Sequence, residues 1–407
     1  ASYRRQRQMC IRDRSMIAIP ELFATWSYPT EVRFGIGRIA EICDACSALN
    51  IKRPLVVTDV GLADSNIIKE LMELIEESNL EVGLFSKVQG NPVGANIEEG
   101  TTAFRSGSHD GVIAIGGGSA MDAGKVIAMY QGQESKLFDL HVKVEGGPKI
   151  NSDSIAPVIA VPTTAGTGSE TGRAGLITEE AVDTKRIFAH PKMMPAIVIE
   201  DPKLSAGLPA NLTAWTGIDA LSHSFEALCA PGIHPMADGI ALEGMRLVKE
   251  YLPRAYADGN DLEARGYMLA AASMGSTAFQ KGLGGIHSLS HSIGALYNTH
   301  HGLTNAVFFP YIMDFNRSAI EEKMIRASAY LDLKRSGFSA VRDWILETRE
   351  FYAIPHSVSE MDIDDSKLDR IETLSAADPT ASSNPIKFDK TAARKVFLKS
   401  LDGKIDF

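Results

Sequence analysis

Gly111-Val-Ile-Ala-Ile-Gly116-Gly-Gly-Ser119-Ala-Met-Asp122-Ala-Gly-Lys125 reads as a buried strand that breaks at three glycines and turns directly into a helix. The glycines let a backbone approach a pyrophosphate, and a helix N-terminus offers unpaired N–H groups and a positive dipole end. Ser119 is placed to cap that helix, with Asp122 three residues on in a capping-box-like arrangement. The run is not GxGxxG, so the Rossmann fingerprint proper is absent. A glycine triplet alone fits a bare tight turn equally well; its strand–turn–helix setting favours phosphate binding.

Outward from this unit the same alternation repeats. Pro54–Asp59 reads as a buried strand with a helix over 65–78 behind it, and 81–85 as a second strand with a helix over 96–107. The glycine unit supplies the third strand, and Ile155–Val161 the fourth. Continuous apolar strands alternating with helices predict a parallel sheet covered on both faces. Pro162-Thr163-Thr164-Ala-Gly166-Thr167-Gly168-Ser169 sits at the end of the fourth strand, where doubly wound sheets place ligands. Asp59 ends the first strand, where a carboxylate can accept from an adenosine ribose 2′-OH and repel a 2′-phosphate, favouring NAD over NADP. A helix-capping role for Asp59 explains it equally well.

From Asp201 onward the period changes to 3.6 over 212–230, 237–252, 261–280 and 286–297, and strand signals nearly vanish. The expected division is a dinucleotide-binding α/β domain over 16–204 and an all-α domain over 205–407. The helical half holds four of the ten histidines in fifteen residues, as His287, His291, His300 and His301. Upstream, Asp219 and His223 stand four apart and share one helix face. Three imidazoles and one carboxylate, without sulfur, suit Fe²⁺, Mn²⁺ or Zn²⁺ rather than Ca²⁺ or Mg²⁺. Spacing alone pairs His287 with His291.

Composition bounds the rest. The chain has 407 residues and a net charge of −10, which argues against nucleic-acid or anionic-membrane partners. No apolar run approaches the roughly 20 residues of a membrane-spanning helix. Met9-Cys10-Ile11-Arg12-Asp13 back-translates to a sequence resembling a transposase library adaptor. Residues 1–15 are therefore set aside as non-native, with Met16 as the expected start. Cys43-Asp-Ala-Cys46 has redox spacing, but it lies in a helical pattern with no preceding strand and reads as a structural pair. Nothing suggests a disulfide framework, so a reducing, cytoplasmic setting is expected.

Together these motifs resemble the iron-containing (group III) alcohol dehydrogenase family, from about Ile17 to the C-terminus. The resemblance rests on Gly116–Ser119 with Asp122 and Lys125, on Pro162 to Glu170, on Gly217-Ile-Asp219 with His223, and on the block from His287 to His301. It implies a Rossmann-like NAD-binding domain and a helical domain in dehydroquinate synthase-like architecture, with the active site between them. It implies Asp219, His223, His287 and His301 as metal ligands, Fe²⁺ or alternatively Zn²⁺ or Mn²⁺. His291 becomes a neighbour for orientation or proton transfer, and His300 is incidental. Asp59, Asn91, Gly117, Gly118, Ser119, Asp122, Thr163, Thr164 and Lys185 are implied to line the NAD site.

The implied reaction is hydride transfer between a primary alcohol or aldehyde and nicotinamide, with the metal as Lewis acid. A homodimer or larger homo-oligomer is typical of the family. Where the family continues with small or apolar residues, this chain has Thr171-Gly172-Arg173. Arg173 is either a surface residue or a clamp for the acid group of a hydroxy-acid substrate of the 4-hydroxybutyrate type. A dehydroquinate synthase- or glycerol dehydrogenase-like enzyme and a non-catalytic, metal-stabilised scaffold are the competing readings.

Overall fold

Four apolar runs form the centre of one parallel sheet because their residues suit strands buried on both faces, and two strands of more polar sequence close its edges. In the computed structural model, which describes residues 30–142, 147 and 149–405, the sheet order is β1-β8-β5-β4-β2-β3. The strands are β1 (Glu31–Phe34), β2 (Pro54–Asp59), β3 (Gly83–Val88), β4 (Gly111–Gly116), β5 (Val158–Pro162) and β8 (Ile197–Glu200). Every pairing among them is parallel. β4, β5 and β8 are buried at every position, the signature of a sheet covered on both faces. The segment set aside at 1–15 and the expected start at Met16 lie outside the described residues.

Helices α1 (Ile42–Ala48), α2 (Asn66–Glu77), α3 (Gly94–Ser106) and α4 (Gly118–Tyr130) accompany the sheet. α1 carries Cys43 and Cys46 as free thiols, and burial pushes the Cys46 thiol up to about 12, which suits a structural residue rather than a redox centre. The chain runs outward from β2 to β3, then returns to place β4 on the other side of β2. Such a reversal leaves a crevice at the strands' C-terminal ends. One element lay outside the sequence reading: an antiparallel hairpin of β6 (Ala174–Glu179) and β7 (Thr184–Ala189), set apart from the main sheet. It packs on α4, where a Cβ at Gly175 would come within 2.8 Å of the Asp122 carbonyl oxygen.

Beyond Glu200 the described residues hold no strand. Long helices follow: α5 (Ala210–Cys229), α6 (Pro235–Ala257), α7 (Leu262–Ala278), α8 (Gly285–Tyr297), α9 (His301–Phe315), α10 (Arg317–Tyr330), α11 (Phe338–Phe351), α12 (Leu368–Ala377) and α13 (Lys390–Asp402). No described helix is long and apolar enough to cross a membrane. The end of α5 is held by two lysines. Lys281 Nζ donates to the Leu228 carbonyl, and Lys323 Nζ donates to those of Cys229 and Ala230. Cations there satisfy orphan carbonyls and oppose the negative end of the helix dipole.

The two halves meet at a buried acidic pair. Ser273 Oγ on α7 lies 2.5 Å from Glu200 Oε1, at the end of β8, and 3.1 Å from Glu170 Oε1, in the turn after β5. One hydroxyl hydrogen cannot serve both carboxylates, so a proton on Glu170 completes the arrangement. Burial, with the Glu200 charge adding to it, pushes the Glu170 carboxyl up to about 8, while Lys125 pulls weakly the other way. A carboxyl raised in the folded state contributes stability that is full below about pH 4.5 and is lost as pH rises through about 8. Glu200→Gln should therefore flatten the fall in melting temperature between pH 6 and 9. Parallel melting curves for the two proteins across that range would refute the shared proton.

Candidate active site

The glycine turn shows why the crevice stays open. Gly116 has φ 144°, and a Cβ there would come within 2.8 Å of Asp59 Oδ2 and 2.7 Å of Ala120 Cβ. Gly117 then caps α4, so the helix starts one residue before Ser119. That corrects the expected capping box. Ser119 lies inside the first turn, and its Oγ donates to the Gly90 carbonyl at 2.6 Å. Without a side chain on Gly117, the helix N-terminus stands open to a phosphate.

Around this turn the structure gathers most of the residues implied to hold NAD. Asp59 Oδ1 accepts from Gly61 N at 2.9 Å; burial pushes its pKa up, opposed by backbone N–H groups including that of Gly117. Thr163 N donates to the Gly116 carbonyl, and Thr164 flanks Gly117. Asn91 Nδ2 donates to Asn298 Oδ1 at 2.6 Å, a bond from the β3–α3 turn to the end of α8. Asp122 is turned into the fold instead. Its Oδ1 accepts from Ser169 Oγ and its Oδ2 from Leu176 N, which ties α4 to the β5–β6 loop and to β6. Lys125, buried beside it, donates to the Ser169 carbonyl and hydroxyl and to the Gly172 carbonyl. Burial lowers the Lys125 pKa, with Asp122 and Glu170 opposing.

The β5–β6 loop then reaches the helical half. A Cβ at Gly166 would strike Thr216 on α5, one turn before Asp219. Lys185 on β7 points at α8, its Nζ 3.5 Å from where a Cβ on Gly294 would stand. Its pKa is lowered by burial and partly restored by Asp122, Asp378 and Asp219. Arg173 is exposed at the start of β6, where its carbonyl accepts from His190 N, and no contact links its side chain to the metal group.

Four candidate ligand atoms converge in the helical half. One atom each from Asp219, His223, His287 and His301 lies within 4.8 Å of the others. Asp219 and His223 share a face of α5, while α8 brings His287. The chain turns at Asn298, in the left-handed region with φ 53°, so that α9 opens with His301. Gly302 lets α9 close on α5, since a Cβ there would come within 2.3 Å of the Trp215 carbonyl oxygen. This turn is why His301, fourteen residues from His287, joins the group while His291, four residues away, does not. From Asp219 Oδ1 the Nε2 atoms of His223, His287 and His301 are 3.8, 3.7 and 3.6 Å away.

The electrostatics suit a cation. Burial alone would raise the Asp219 pKa, but three imidazoles hold it far below the carboxylate range. Burial takes His223 down to about 4 and His301 well below its ordinary value. For His287 burial opposes the charge, yet Asp219 and Glu226 prevail and push it up to about 9. A buried carboxylate among imidazole nitrogens is a nitrogen–oxygen donor set that fits iron, zinc or manganese.

Supporting residues surround the ligands, and the sequence reading missed them. Glu226 Oε2 accepts from His287 Nδ1 at 2.6 Å, and its Oε1 accepts from Ile286 N at 2.7 Å. Asn384 Oδ1 accepts from Gly285 N, so both groups secure the start of α8. Ser290 Oγ lies 2.9 Å from His301 Nδ1. Phe279 packs against His223. The signal for Glu226 was present: it stands three residues after His223 on the same face of α5. His300, set aside as incidental, caps α9 through Nδ1 and leans on Trp215.

His291 stacks on His301 with centroids 5.4 Å apart, and its Nδ1 is 3.0 Å from Asp378 Oδ2. Burial works against the Asp378 charge, but His291 and Thr380 keep its pKa low.

Comparison with known proteins agrees with this architecture. Residues 29–202 match the family described as iron-containing alcohol dehydrogenase, and residues 213–401 match the C-terminal region of the Fe-containing alcohol dehydrogenase family. The chain is 33% identical to a 4-hydroxybutyrate dehydrogenase of Cupriavidus necator, over 92% of this chain and 99% of that one. It is 34% identical to an NAD-dependent methanol dehydrogenase of Bacillus methanolicus, over 86% and 93%. The solved structure of a 1,3-propanediol oxidoreductase superposes with a TM-score of 0.87 at 29% identity, covering 93% of this chain and all of that one. The two family matches together span most of the chain, and the two dehydrogenase relatives are at least 30% identical over nearly its whole length, so the chain belongs to the iron-containing alcohol dehydrogenase family.

Proposed function

We propose that this protein interconverts a small primary alcohol and its aldehyde with NAD, using a divalent cation held by Asp219, His223, His287 and His301. The observation that carries the reading is the convergence of those four candidate ligand atoms in a chain whose glycine turn leaves the N-terminus of α4 open. When bound, the cation supplies Lewis acidity toward the substrate oxygen and NAD accepts the hydride. Gly117, Gly118 and Ser119 present the helix start to the dinucleotide phosphates. Asp59, Asn91, Thr163, Thr164 and Lys185 line its path toward the ligands. Asp122 acts indirectly, by fastening the β5–β6 loop. His291, oriented at Nδ1 by Asp378, leaves Nε2 to take the hydroxyl proton.

The test is NADH formation by protein purified anaerobically and loaded with Fe²⁺, on neutral primary alcohols, diols and ω-hydroxy acids. Silence on all three, with cation and NAD bound, refutes the proposal. The 4-hydroxybutyrate dehydrogenase relative favours a second reading, in which the substrate is a hydroxy acid. Turnover confined to the acids supports it, and an unchanged KM for them in Arg173→Ala removes Arg173 from the recognition. Asp59→Gly should shift the NAD-to-NADP ratio of kcat/KM by about tenfold, the equivalent of roughly 1.4 kcal/mol. An unaltered ratio would take Asp59 out of the ribose role. The free thiols of Cys43, Cys46 and Cys229 support a cytoplasmic setting. A homodimer or larger homo-oligomer belongs to the same reading and is checked by solution mass.

A further inference from the structure

Asn305 stands one turn after His301 on α9 and is fully buried. Its Nδ2 is 2.7 Å from Asp219 Oδ1, 3.1 Å from His301 Nε2 and 3.2 Å from His287 Nε2. It therefore touches three of the four ligand atoms. Its Oδ1 is buried without a hydrogen-bond partner. Leaving a buried carbonyl unpaired costs about 1–3 kcal/mol, which an apolar residue of the same shape would avoid. An asparagine kept only for packing has no reason to carry that cost. Its amide nitrogen supplies two donors next to Asp219 Oδ1 and His301 Nε2, two acceptors that lie 3.6 Å apart.

We propose that Asn305 is a positioning residue of the cation site: its amide fixes the cation-facing oxygen of Asp219 and keeps the His301 imidazole turned inward, so that the ligands are arranged before the cation arrives. A site formed in advance spends less of its binding free energy on ordering side chains. Partners that orient metal ligands typically account for 10- to 100-fold in metal affinity. The proposal rests on the four-ligand reading above and goes beyond it by naming a fifth residue that is not a ligand.

The test uses full-length protein stripped with a chelator and titrated with Co²⁺, whose absorption spectrum reports coordination geometry. Wild-type protein that binds no Co²⁺ would overturn the four-ligand reading itself, before Asn305 is reached. Given wild-type binding, Asn305→Leu keeps the branched shape and removes both donors. It is expected to raise the Co²⁺ Kd by about 10- to 100-fold and to alter the bound spectrum, with the NAD Kd unchanged. A folded Asn305→Leu protein with a Kd within about twofold of wild type and the same spectrum would overturn the proposal. Asn305→Asp covers the case in which the leucine variant does not fold. It should melt lower than wild type when cation-free and gain more from Co²⁺; equal gains in the two proteins would overturn it.

Discussion

Asp219→Ala and His287→Ala are each expected to abolish cation binding and turnover while leaving the fold largely intact. Asp219 is the one anionic ligand, and the Nε2 atoms of three histidines surround its Oδ1 within 3.8 Å. Without it, neutral imidazoles have no charge to offset a dication's desolvation. Without His287, three ligands remain and Glu226 loses its partner. Lewis-acid stabilisation is worth several kcal/mol, so kcat/KM should fall on the order of 10³-fold or more. Both positions lie inside helices, where alanine has the best propensity, and α5 and α8 are packed along most of their length. Metal content, circular dichroism and NADH formation measured on the same preparations separate site loss from unfolding. Full activity in either variant refutes the ligand assignment.

The second large effect is expected at Glu226. Its two oxygens do different work: one fixes the His287 ring through Nδ1, and the other accepts from the first turn of α8. Glutamine can reproduce only one of these. If its carbonyl stays on Ile286 N, its amino group meets Nδ1–H donor to donor and favours the tautomer with the hydrogen on Nε2, where the cation belongs. Glu226→Gln should weaken metal affinity by about 10- to 100-fold, with activity recovering as free metal is raised. Glu226→Ala should be worse, because it leaves buried donors unpaired at about 1–3 kcal/mol each. A metal Kd unchanged in Glu226→Gln would show that the Glu226–His287 bond does not tune the site.

The sheet and the helix faces were legible because they rest on local periodicity. The glycine unit, the continuous apolar strands and the Asp219–His223 pair all lie within single elements. What escaped depends on distance or on a competing local choice. Ser119 looks like a cap, but the flexible Gly117 takes that place and the hydroxyl goes to Gly90. Asp378 and Asn384 cross 87 and 99 residues of sequence to reach His291 and Gly285, contacts that no local pattern announces. The hairpin turn between Glu179 and Thr184 carries no glycine, and Asp183 in it takes the left-handed conformation at φ 46°.

All four ligand residues lie on α5, α8 and α9, while the glycine turn belongs to the sheet half. On the proposed function, the cation and the dinucleotide would each reinforce a different part of the polypeptide. By mass action, a ligand at 100 times its Kd adds about 2.7 kcal/mol to the part that binds it. Iron starvation would then act as a quality filter: metal-poor copies expose their helical segment to proteases more often, whatever the coenzyme pool. The expected outcome in a cell short of the cation is that abundance and specific activity fall together, which quantifying the protein beside its activity would check.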